Sequence, residues 1–260
     1  MTHPKIERAK KHLAELRTEV GAFLATSPFE VGKRHDPQTR EISYYVSRAA
    51  DVPASISAIT ADMLQNLRRA LDHLACDLVI TAGKYPTRNT GFPIFGSLGI
   101  YKAQAAEKTQ GMQQHAVEAI AAIEPYKGGN DVLWHLQELA NIDKHRPLKI
   151  AGLAYRFDAV TPEVLAYLRK VWSSRFGDWP PPENAPAELI EHERGHSPIQ
   201  ADDVLFIETS RAGIDSERKF NFDLALAEGR LGYRIPPVER LNGMVDTVGD
   251  VVANLDPLLR

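Results

Sequence analysis

The chain has 260 residues, of which 43% are hydrophobic and 25% charged, a composition typical of a globular protein with a sizeable core. Its 31 basic and 34 acidic residues give a formal charge of -3. This charge argues against permanent electrostatic binding of nucleic acid but allows a local cationic patch. The single cysteine, Cys76, excludes an internal disulfide and favours a reducing compartment. Because neither a signal peptide nor a long apolar run stands out, we expect a cytoplasmic protein with no membrane partner.

The first half of the chain predicts two long helices separated by a strand. Apolar residues at three- and four-residue spacing predict a helix over residues 4–24, and its narrow stripe suits packing against another helix, including one across a dimer. Strand-forming residues follow at 41–47. A longer helical stripe covers 54–82, where Gly83 favours a C-terminal stop, and a loop with Pro and Gly is expected at 85–99.

Two shorter helices are predicted next. One covers about residues 105–123, where the apolar spacing is again helical. The other starts at Asn130 or Asp131, either of which can cap a helix. It must end near Arg146, because Pro147 disfavours helix in the residue before it.

Beyond this point the pattern changes from helices to strands. Strands are predicted at 148–157, 204–209 and 219–226, and the last two resemble a hairpin around a turn that contains glycine. Between the first two lies a Pro-rich stretch, 172–200, which predicts a loop or insertion. The C-terminal segment, 238–259, is amphipathic with helical spacing.

These elements predict an α+β fold, with a bundle of long helices and a small, mostly antiparallel sheet. A single domain over 1–260 is expected, with a helical core of about 1–146 and 236–260 and a strand-rich part of about 147–235. The side chains expected in the core of the bundle are Leu67, Leu71, Leu74, Leu136, Leu139 and Val248.

Two short polar clusters stand within the core-forming helices and make the candidate site. Ionisable groups seldom lie beside a core unless they pair with each other or take part in chemistry. We predict that the two clusters meet in the bundle and form one site. Its six residues are Arg68, Arg69, Asp72, His73, Asp143 and His145.

The first cluster has two interpretations. Arg68 with Asp72, and Arg69 with His73, stand one helical turn apart, as on an ordinary solvated face. If a second helix or a symmetry mate covers this face, an arginine can instead stabilise an anion while His73 transfers a proton.

The second cluster places a carboxylate on the apolar side of its helix. Asp143 falls in line with Leu136 and Leu139, so it needs a partner, and a structural bridge between two helices is the simplest account. The candidate partners are Arg68, Arg69 and His73. A metal-ligand set on the other side of the helix is a weaker alternative, built from His135, Glu138 and His145.

The Arg-x-x-x-x-His spacing of Arg68 and His73 on a predicted helix resembles that of HEPN domains. The resemblance covers the helices of residues 54–146. It implies an all-α bundle in which the arginine and the histidine, brought together across a homodimer, form a metal-independent ribonuclease site for RNA. Segments 67–74 and 141–146 are also similar to a set of bacterial and phage-associated proteins, which favours one fold containing both clusters and implies no activity.

A second motif matches the zincin pattern His-Glu-x-x-His at His192, Glu193 and His196. In that pattern two histidines one helical turn apart bind zinc and the glutamate activates water. Gly195 and Pro198 break the required helix, so a charged loop is the simpler interpretation.

Three classes of function follow from these patterns. The first is a HEPN-like metal-independent ribonuclease or a defence-associated relative, with Arg68 stabilising an anion and His73 as general acid or base. The second is a non-catalytic interaction or regulatory protein whose clusters only fix helix packing. The third is a metallohydrolase that uses the His192 motif. No cofactor is predicted, and no metal site is assigned.

Overall fold

Helices and antiparallel strands together make this an α+β protein in the computed structural model, as predicted. The structure describes residues 4–156, 188–189, 199–209, 220–228 and 237–259. The chain divides into two compact units, each taken by itself below. The helical unit comprises Met1–Gly21, Pro53–Lys149 and Arg230–Arg260. The strand unit comprises Ala22–Val52 and Ile150–Gly229. The prediction of one domain over 1–260 stays a prediction.

The helices form where the apolar spacing predicted them, with one exception given below. They are α1 (Pro4–Ala25), α2 (Ala54–Thr81), α3 (Leu98–Lys108), α4 (Gln114–Ala122), α5 (Asp131–Asp143) and α6 (Pro237–Leu255), followed by a 3₁₀ turn at Asp256–Leu259. Gly83 follows α2 with a φ of 70°, a conformation that ends helices and favours glycine. The side chain of Asn130 caps α5 by accepting a hydrogen bond from the Leu133 amide at 3.1 Å.

The core of the helical unit lies between α2, α5 and α6. All six side chains predicted for it are at most 1% exposed, so this prediction is confirmed. The apolar stripe of a helix is defined by residue spacing within that helix, and its burial stabilises the fold. Spacing alone was therefore sufficient to locate these residues.

The single helix predicted over 105–123 is wrong, because two helices, α3 and α4, occupy this region. Gly111 lies between them with a φ of 93°, which a helix cannot accommodate. A Cβ atom at Gly111 would lie 3.2 Å from the Val79 side chain, so the chain also passes close to α2 there. α3 starts earlier than predicted because Ser97 caps it, accepting from the Ile100 amide at 3.2 Å.

The strand unit contains two antiparallel sheets. The first has the order β1 (Phe29–His35), β2 (Glu41–Ala49) and β5 (Val204–Thr209). The second has the order β4 (Glu188–Leu189), β3 (Ile150–Arg156) and β6 (Phe220–Leu226). The predicted hairpin of the strands at 204–209 and 219–226 is therefore wrong, because β5 pairs with β2 and β6 pairs with β3.

Three features of the strand unit were not predicted: β1, β4 and the close packing at Gly152. β4 lies in the 172–200 stretch predicted as a loop or insertion, most of which lies outside the described residues. β1 was not predicted because four of its seven residues are charged or histidine, so the sequence lacks the apolar–polar alternation of a half-buried strand. The pairing of β2 with β5 brings residues 22–52 into this unit. Gly152 is required by packing, since a Cβ atom there would collide with the Phe29 ring. The core around Val46, Ala154 and Leu205 fills the space between the two sheets.

Candidate functional site on the second helix

Arg68 and Asp72 lie one turn apart on α2 and hold the backbone of the following loop between them. The Arg68 Nη2 and Asp72 Oδ1 atoms form an ion pair at 2.9 Å. Arg68 Nη2 also donates to the Phe92 carbonyl oxygen at 3.0 Å, and the Phe92 amide donates to Asp72 Oδ1 at 3.0 Å. We call this arrangement of three residues the Phe92 clasp. It satisfies both backbone polar groups of a residue whose side chain is fully buried.

The clasp removes most of the Arg68 side chain from water. That side chain is 12% exposed, while Asp72 is 37% exposed. Burial lowers the pKa of the Arg68 guanidinium, and the Asp72 charge acts in the opposite direction. A Cβ atom at Gly91 would lie 3.0 Å from Asp72 Oδ1, so the glycine lets the loop approach the carboxylate closely. Arg68 Nη1 is buried and has no hydrogen-bond partner among the described residues.

The other two residues of the first cluster, Arg69 and His73, lie on the exposed surface of α2. They are one turn apart, as predicted for a solvated face. His73 lies five positions after Arg68 on α2. At about 100° per residue, their side chains lie about 140° apart around the helix axis. Within one chain, the predicted catalytic arginine and histidine therefore point in different directions.

Asp143, the carboxylate of the second cluster, has a partner that the sequence did not indicate. The side-chain amide of Gln65 donates to Asp143 Oδ2 at 2.9 Å and to the Ala140 carbonyl at 2.9 Å. Gln65 thereby ties α2 to the C-terminal turn of α5. In the sequence, Gln65 is marked only by its position three residues before Arg68. That position does not distinguish it from other polar residues. His145, just beyond the helix, is exposed.

The six predicted residues thus fall into different local settings. Arg68 pairs with Asp72, and Asp143 with Gln65, which lies one turn from Arg68 on α2. Arg69, His73 and His145 are exposed. That all six form one site stays a prediction.

A buried histidine–arginine contact joins α5 to α6. Arg240 Nη2 lies 3.0 Å from His135 Nδ1, and Arg240 is buried. Burial, followed by the positive charges of Arg240 and Lys127, lowers the pKa of His135 to about 3. The imidazole is therefore neutral and accepts through Nδ1, which puts its own proton on Nε2. This contact was not predicted, because the partner lies more than a hundred positions away.

Metal ligands are not grouped in the part of the chain that the structure describes. No three His, Cys, Asp or Glu side chains lie together there in a way that suits a metal ion. His135, from the alternative ligand set, is engaged with Arg240. The zincin-like residues His192, Glu193 and His196 lie outside the described residues.

Cys76 is half-buried on α2, and its environment favours the thiol. Burial is the largest cause of its raised pKa, and the carboxylates of Asp72 and Asp77 add to it. A thiol is a poor nucleophile compared with a thiolate, so this environment suits a structural role for Cys76.

Comparison with known protein families, with curated protein sequences and with solved structures finds no match to this chain. The HEPN resemblance therefore stays a prediction. No helix in the described ranges has the length and apolar character needed to cross a membrane.

Proposed function

We propose that this chain is a non-catalytic interaction protein in which the polar clusters of α2 and α5 serve the fold. The Phe92 clasp carries this proposal. Arg68 and Asp72 bind the backbone of a buried loop residue. The Gln65 side-chain amide joins the two helices by donating to the Asp143 carboxylate and to the Ala140 carbonyl. A reducing, cytoplasmic setting fits the proposal, since a single cysteine cannot form an internal disulfide.

The clasp leaves Arg68 poorly suited to bind a substrate phosphate. One terminal nitrogen, Nη2, already contacts two oxygens, and the side chain is largely buried. A phosphate at Nη2 would have to displace the Phe92 carbonyl or the Asp72 carboxylate, leaving a buried polar group unsatisfied. The other nitrogen, Nη1, has no partner among the described residues but is buried, so a phosphate reaches it only if the surrounding chain moves. His73 points away from this arrangement, so proton transfer and anion binding would not occur at one place in a single chain.

The test is an RNA-cleavage assay on the purified full chain in EDTA, with a mixture of single-stranded and structured RNAs. We expect no cleavage above the buffer rate. Arg68→Gln should lower the thermal midpoint, while the matched surface variant Arg69→Gln should not. Metal-independent cleavage that disappears in His73→Ala, with an unchanged thermal midpoint, would refute the non-catalytic proposal.

A HEPN-like ribonuclease is the second candidate, and one observation favours it. Arg69 and His73 are both exposed and one turn apart, so both can reach the same external phosphate. In this candidate His73 transfers the proton, an arginine stabilises the anion, and a homodimer brings a second copy of the cluster. The same assay tests it. His73→Ala should then lower the rate by roughly 10²- to 10⁴-fold, and sedimentation should show a dimer.

A further inference from the structure

The sheet of β1, β2 and β5 has one face in the core and one face towards solvent. Cross-strand partners share a face, so Tyr45 lies with Gly32 and Val204, and Ser43 lies with Ile207. Val204 is 37% exposed and Ile207 is 48% exposed. We call the side of the sheet that carries these residues the outer sheet face.

The aromatic ring of Tyr45 lies at the centre of the outer sheet face. A Cβ atom at Gly32 would lie 2.6 Å from Tyr45 Cζ, so the tyrosine ring lies directly across the neighbouring strand. The Arg34 guanidinium carbon stands 4.8 Å from the ring centroid, within the range of a cation–π contact. Arg34 itself is exposed. An aromatic ring and a guanidinium plane are the two groups on which proteins stack unpaired bases.

The turn between β1 and β2 places two exposed arginines at the end of this face. Arg34 and Arg40 are exposed. The nearby carboxylates are engaged inside the turn: Asp36 Oδ1 accepts from the Gln38 amide at 2.8 Å, and Glu41 accepts from a threonine hydroxyl at 3.2 Å. Exposed arginines beside an aromatic platform suit a polyanion whose bases are free to stack.

The size of the face disfavours a stable protein partner. Seven residues along β1 and three strands across give a surface of about 24 by 14 Å, or about 340 Å². A stable protein–protein interface buries about 800 Å² on each partner, more than twice this area.

We infer that the outer sheet face binds single-stranded RNA, with a base stacked on the Arg34 guanidinium, which the Tyr45 ring supports, and the phosphate backbone passing Arg40. Ser43 lies on the same face beside them, and its hydroxyl supplies a group for a ribose 2′-hydroxyl, the feature that distinguishes RNA from DNA. The inference goes beyond the proposal above, because it concerns the strand unit and holds whether or not the α2 cluster catalyses a reaction.

The experiment measures fluorescence polarisation of a labelled oligouridylate of about ten nucleotides with the full chain in EDTA. Tyr45→Leu keeps an apolar group over Gly32 but removes the ring, and should weaken binding roughly 10- to 100-fold. Tyr45→Phe should bind within about twofold of the wild type, since the stacking surface remains. The matched control is Tyr85→Leu, which removes an exposed tyrosine of the helical unit and should change nothing.

Charge and strand type provide further readouts. Arg34→Ala, a change at an exposed position, should weaken binding and reduce its dependence on salt between about 50 and 200 mM. Duplex RNA and oligodeoxythymidylate should bind more weakly than the single-stranded RNA. The inference is overturned if the wild type does not bind, or if duplex or DNA binds equally well. Equal binding by folded Tyr45→Leu overturns it too, as does a dimer in sedimentation that this variant dissociates, because the face would then contact a second copy.

Discussion

Replacing Asp72 with alanine removes one side of the Phe92 clasp, and the structure defines what is lost. The Phe92 amide loses its acceptor at 3.0 Å, and Arg68 loses the carboxylate 2.9 Å from its Nη2 atom. The Arg68 guanidinium still donates to the Phe92 carbonyl oxygen, but its charge remains largely buried.

The cost has two parts. An unsatisfied amide beside the core costs about 1–3 kcal/mol. Breaking a fully buried ion pair costs about 3–5 kcal/mol, but Asp72 is 37% exposed and water screens the pair, so the charge part is nearer 1 kcal/mol. We therefore expect Asp72→Ala to lower the free energy of unfolding by about 2–4 kcal/mol. Asp72→Asn, whose amide oxygen still accepts from Phe92, should cost only about 1 kcal/mol.

Urea unfolding followed by circular dichroism measures these changes, with hydrogen exchange of the Phe92 amide as a local readout. Asp77→Ala is the matched control, because Asp77 is an exposed acid on the same helix and should cost less than about 0.5 kcal/mol. If Asp72→Ala costs no more than the control and the Phe92 amide exchanges at the wild-type rate, the clasp does not hold the loop.

Two further predictions concern a titrating group and a close contact. The folded pKa of His135 is about 3, below its ordinary 6.5, so its contribution to stability is full above pH 6.5 and is lost as the pH falls towards 3. We expect a loss of about 2 kcal/mol at pH 5, measured by urea unfolding. His135→Asn can still accept from Arg240 without titrating, and should lack this part of the pH dependence; an identical pH profile would contradict the buried neutral imidazole. Gly152→Ala should lower the free energy of unfolding by about 1–3 kcal/mol, because the Phe29 ring must move, and a thermal midpoint equal to that of the wild type would contradict the observed packing.

The sequence by itself determined the helices and the residues that form their core. Leu67 and Leu71 on α2, and Leu136 and Leu139 on α5, recur at the helical period, and such a stripe depends on neighbours within a few positions of the chain. The Asn130 cap was predictable for the same reason, since its partner, the Leu133 amide, is three residues away. Gly111, however, showed that one residue with positive φ divides a helix that spacing alone predicts as continuous.

Only the tertiary structure decided which strands pair and what the polar clusters contact. β5 joins β2 because sheet pairing depends on distant partners and not on the turn that connects neighbouring strands. Asp72 and Arg68 contact backbone atoms of Phe92, whose amide and carbonyl are chemically the same as those of nearly every other residue, so no side-chain pattern marks them. A charged cluster on a helix therefore predicts that a partner exists, while the fold selects the partner.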